Sequence, residues 1–140
     1  MYPGHWLVIL GVFAVAGPVI GTLIFVVLMM AASAVGAIPA ELAPLVGYGA
    51  LILLPLTFVI GGVQAVGSGL AVALWMAARR RDTPWWLPAG VAAAGSGFYL
   101  GRTDFALGEQ AIVLAVHVLA AVACWGIAMR LLRDMSPRLP

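Results

Sequence analysis

The chain has 140 residues, of which 64% are hydrophobic and 9% charged, and its formal net charge is +2. That composition holds too little polar surface to cover a water-soluble globule, so the bilayer is the expected solvent. The single Cys124 excludes an intramolecular disulfide and paired-thiol redox chemistry.

A spanning helix needs roughly 20 apolar residues, because the hydrocarbon core is about 30 Å thick and each residue rises about 1.5 Å. Continuous apolar runs without strict alternation predict helices, not the strands of a barrel. The first run, 6–35, is longer than a bilayer requires, so it must tilt, kink or protrude. Gly17 and Pro18 interrupt it, and a proline there removes a backbone donor and is expected to kink the helix. With no basic segment before this run, it reads as a retained helix and not as a cleaved leader. Pro39, Glu41 and Pro44 then mark 37–47 as a short loop.

The second run, 48–78, carries a second expected kink at Pro55 and a small-residue stripe of Gly62, Ala65, Gly69 and Ala73. Arg79, Arg80 and Arg81 end it, and Trp85 and Trp86 follow as an interfacial aromatic pair. In the third run, 85–101, Gly90, Ala94, Gly97 and Gly101 are spaced by four, three and four residues, which places them on one helix face. The fourth run, 111–129, carries a similar stripe of Ala121, Cys124 and Ala128. Helices in lipid associate by close packing, so these stripes are expected to pack a four-helix bundle, with a dimer face or a cradle for a flat ligand as the alternatives.

Orientation follows from the arginines. Arg79, Arg80, Arg81, Arg130, Arg133 and Arg138 lie on one side if there are four spans, leaving Arg102 alone on the other. Cytoplasmic loops retain positive charge, so both termini are expected inside, with the basic cluster anchored on lipid and not on nucleic acid. Absent lysine and abundant alanine suit a bacterial inner-membrane protein.

Polar side chains within a span are costly unless paired, which makes them the residues to watch. Gln64, Ser68, Ser96, Tyr99 and His117 fall near one depth, and Gln64 and His117 are expected to face the interior and share a hydrogen-bond network. Gln64 reads first as a helix-to-helix hydrogen bond. His117 stands among Ala115, Ala120, Ala121 and Ala123, with Trp125 eight residues on. This arrangement resembles the pigment-binding helices of bacterial light-harvesting polypeptides, and the resemblance implies an axial-ligand role for His117. Small multidrug exporters are similar in having four spans, but their essential first-helix glutamate has no counterpart here.

No acidic residue lies within an apolar run, and no catalytic triad, phosphate-binding glycine loop or zinc motif is present. The reading is therefore a non-enzymatic accessory, assembly or structural subunit that packs against a larger membrane complex or against itself, with no cofactor. The alternatives are a small oligomeric channel or transporter using the polar layer, and a pigment or haem subunit using His117.

Overall fold

A computed structural model describes residues 3–36, 39, 41–79, 83–101 and 107–135, and the described residues are almost wholly helical. In chain order they form α1 (Pro3–Gly11), a π-helical turn (Val12–Ala16), α2 (Gly17–Ala34), α3 (Leu42–Arg79), α4 (Trp86–Leu100) and α5 (Leu107–Met135). Among the described residues, three stretches are long and apolar enough to cross a membrane: His5–Ala34, Gly61–Arg79 and Gln110–Met135.

The expected kink at Pro18 takes a specific form. Proline has no N–H to offer the carbonyl four residues back, Ala14, and its ring crowds that carbonyl. Ala14 lies inside the π turn, which widens the helix by one residue directly before Gly17 and Pro18 and then returns it to α geometry. Pro55, by contrast, lies within α3 without ending it.

Helix α2 ends where Gly36 takes a φ of +74°, a left-handed conformation that a side chain would oppose. The amide of Val35 reaches the Ala31 carbonyl at 3.1 Å and that of Gly36 the Ser33 carbonyl at 3.0 Å, closing the last turn. Two boundaries differ most from the sequence reading. Helix α3 begins at Leu42, inside the predicted loop 37–47, because Pro44 falls in its first turn, where a missing N–H breaks no helical bond. Helix α5 runs on to Met135, past the predicted end at 129, since hydropathy marks the extent of the apolar environment while exposed Arg130, Arg133 and Asp134 remain helical.

The third predicted span corresponds to α4, which is not among the three stretches long and apolar enough to cross a membrane. Helix α4 has 15 residues, about 22 Å at the helical rise per residue and short of a bilayer core. It starts only at Trp86 and closes at Gly101, whose amide reaches the Gly97 carbonyl at 2.9 Å.

The core sits between α1, the π turn, α3 and α5. Ile9, Phe13, Val72, Ala73, Ala121, Cys124, Ala128, Met129 and Leu132 form one buried cluster, joined by Ala92 from α4. Its tightest point is Phe13 on Gly69: a β-carbon built on Gly69 would lie 2.9 Å from that of Phe13. The close approach continues along the helix: a β-carbon on Gly17 would lie 3.1 Å from that of Ala65 and 3.8 Å from the Cys124 sulfur, and one on Gly21 would lie 3.8 Å from Val116 and Ala120. Glycine is required at 69 and 17 by this close approach, which the dispersion-driven packing of helices in lipid rewards.

Candidate functional site

Three polar side chains in the apolar helices solve their pairing problem locally. The hydroxyl of Thr22 donates to the Pro18 carbonyl at 2.8 Å, and that of Ser96 donates to Ala92 at 2.8 Å. His117 Nδ1 lies 2.7 Å from the carbonyl of Val113. Each bond returns to the residue four back on the same helix, so each group is satisfied without leaving it.

The polar layer is only partly assembled. Ser96 Oγ also lies 3.5 Å from Gln64 Oε1, a long and weak contact that joins α4 to α3. The chain of Gln64 lies flat on Gly95, where a β-carbon would meet Gln64 Cγ at 3.3 Å. The hydrogen bond of His117 is to its own helix and not to Gln64. Ser68 is buried on α3, and its hydroxyl finds no hydrogen-bond partner among the described residues. Tyr99 is exposed. The structure therefore brings Gln64 and Ser96 together and leaves Tyr99 outside.

The bond made by His117 fixes its chemistry. A carbonyl oxygen can only accept, so the neutral ring carries its proton on Nδ1 and leaves Nε2 with a free lone pair, the atom that would accept a proton or bind a metal. Trp125 is occupied elsewhere: its indole N–H donates to the carbonyl of Thr83 at 2.8 Å. Among the described residues, no group of three or more His, Cys, Asp or Glu side chains converges as a metal site.

The small-residue stripes separate into used and unused faces. Gly69 packs against Phe13, while nothing among the described residues comes within 4 Å of the side-chain position at Gly62, Gly90 or Gly97. On α4 the residues that turn inward are Pro88, Ala89, Ala92, Ser96 and Leu100. The stripe Gly90, Ala94, Gly97 and Gly101, expected to pack the bundle, is exposed. Helix α4 thus offers two faces of small residues, and the one that holds Ser96 beside Gln64 is the one turned inward.

Sequence reasoning missed Phe13, Gly21, Gly95 and Thr83, and read Gly17 only as part of the interruption at Pro18. Gly17 and Gly21 share a four-residue spacing that signals a packing face; nothing in the sequence distinguishes Thr83 from an ordinary loop residue. Thr83 is nonetheless buried, and its hydroxyl lies 3.4 Å from the Val72 carbonyl while its own carbonyl receives Trp125. At the same end, the Arg79 guanidinium lies 5.4 Å from the centre of the Trp75 ring, and Trp75 meets Trp86 edge to face at 5.8 Å. Trp85 and Trp86 are exposed. Arg80 and Arg81 lie outside the described residues. No family model matches the chain, and neither curated proteins nor solved structures give a significant match.

Proposed function

We propose that the chain is a small multi-pass protein of the bacterial inner membrane, acting as a non-enzymatic accessory, assembly or structural subunit. It packs laterally through α4 against a larger membrane complex or a second copy of itself. The observation that supports this reading is the outward stripe of Gly90, Ala94, Gly97 and Gly101, which the fold leaves without a neighbour among the described residues. Small residues at this spacing let two backbones approach closely, which is the main source of helix association in lipid.

In this reading α4 is the fourth, short span, and both termini lie in the cytoplasm. The helix contacts support it: Phe13 meets Gly69 and the Gly17 position faces Ala65, while Gly17 and Gly21 face Cys124 and Ala120, so α3 and α5 both run opposite to the first helix and α4 lies between two helices of one direction. Reporter fusions at the two ends test the topology: both on the cytoplasmic side is the expected result, and opposite sides would remove the four-span reading. Native mass spectrometry of the assembly extracted from its own membrane tests the role. A heteromeric or homomeric mass that Gly97→Leu dissociates supports lateral packing through α4; a monomer in mild detergent, unaffected by the substitution, overturns it.

A second reading, a small oligomeric channel or transporter, is favoured by Ser68, whose buried hydroxyl has no partner among the described residues. A polar atom in that state suits a site that takes up water or an ion. Liposome flux separates the readings: flux abolished by Ser68→Ala supports a pathway, and none in the wild type removes it. His117→Ala tests the ligand role, with loss of a visible absorption band as its positive outcome.

A further inference from the structure

The end of the molecule at which α3 and α5 finish carries a built arrangement of charge and aromatic surface. Thr83 contacts Val72 of α3 through its hydroxyl and Trp125 of α5 through its carbonyl. Beyond these contacts Arg79 ends α3, and Arg130 and Arg133 lie in the last turns of α5. All three arginines are exposed. Val72, Ala73, Met129 and Leu132 belong to one packed cluster, which holds the two helices together there. Asp134, next to Arg133, is the carboxylate at this end among the described residues.

Arg79 is the residue most prepared for a ligand. Its guanidinium lies over the Trp75 ring, and Trp86 braces that ring from the edge. A guanidinium held over a ring by cation–π attraction can still offer its N–H fork to two phosphate oxygens. The exposed indoles of Trp85 and Trp86 belong at the headgroup level of a bilayer. We propose that Arg79, held over Trp75, binds the headgroup phosphate of an anionic phospholipid, with Arg130 and Arg133 supplying positive field from the neighbouring helix.

The proposal rests on the membrane location proposed above, and the test separates the two. Recovery of the intact protein from carbonate-washed membranes tests the location alone; a soluble protein overturns both. The purified full chain is then titrated with phosphatidylglycerol and phosphatidylcholine, and the retained lipid is read by native mass spectrometry. Phosphatidylglycerol should be retained preferentially. Arg79→Gln should lower its retention about fivefold, and Arg130→Gln with Arg133→Gln by less than that. Arg79→Lys, which keeps the charge but not the fork, should fall between wild type and Arg79→Gln. Equal retention of the two lipids, or retention unchanged in Arg79→Gln, overturns the site. Displacement of the lipid by millimolar inorganic phosphate would show that free anion, not lipid, is the ligand, and overturns it as well.

Discussion

The two faces of α4 are built from nearly the same residues and have opposite fates. Ala89, Ala92 and Ser96 turn inward with Gly95 beneath Gln64, while Gly90, Ala94, Gly97 and Gly101 turn out. Small side chains at helical spacing permit close approach on either face, so spacing alone does not decide which face is used. The inward face is the one that carries the buried Ser96, whose hydroxyl is satisfied within its own helix and adds a long contact to Gln64. A small-residue face is thus a capacity, and the packing of the neighbouring helices decides which one the monomer uses.

Substitutions that add bulk to an inward glycine should break this contrast most clearly. Gly69→Leu drives a branched chain into Phe13, whose β-carbon already lies 2.9 Å from the position of an added one. It should destabilise the fold by about 3 kcal/mol, the upper end for overpacking, in denaturant unfolding in detergent micelles. Gly95→Val displaces Gln64 from α4 and should cost about 1–2 kcal/mol in the same assay. Trp125→Phe keeps the ring and removes the N–H that reaches Thr83; a loss of about 1 kcal/mol is expected, with faster amide exchange around Thr83. Gly97→Leu sharpens the comparison from the other side. Monomer unfolding should shift by no more than about 0.5 kcal/mol, while the oligomeric or heteromeric mass is lost. If Gly97→Leu instead destabilised the monomer as much as Gly95→Val, the two faces would not differ in the way described.

The same contrast runs through the polar residues. Thr22, Ser96 and His117 each bond to a carbonyl four residues back on their own helix. The capacity for that bond is legible in the sequence, because a Ser or Thr in a helix has such a carbonyl within reach, but its use is not: Ser68 of α3 does not make it. The pairing of Gln64 with Ser96 is not legible either, since it depends on how α3 and α4 are rotated against one another. The expected network between Gln64 and His117 rested on depth alone, and depth does not specify rotation.

What the sequence determined by itself is the medium and the elements: apolar runs long enough to span, a helical interruption at Pro18, and a cluster of arginines and tryptophans where the second run ends. These follow from local physics, since hydropathy, the missing proline N–H and the cost of a charge in hydrocarbon act residue by residue. What only the tertiary structure decided is which glycines meet a neighbour, that Thr83 folds inward to bridge α3 and α5, and that Arg79 lies over Trp75. Those outcomes depend on the rotation of each helix about its axis. In an apolar chain many rotations bury similar surface, and a few close contacts and hydrogen bonds choose among them.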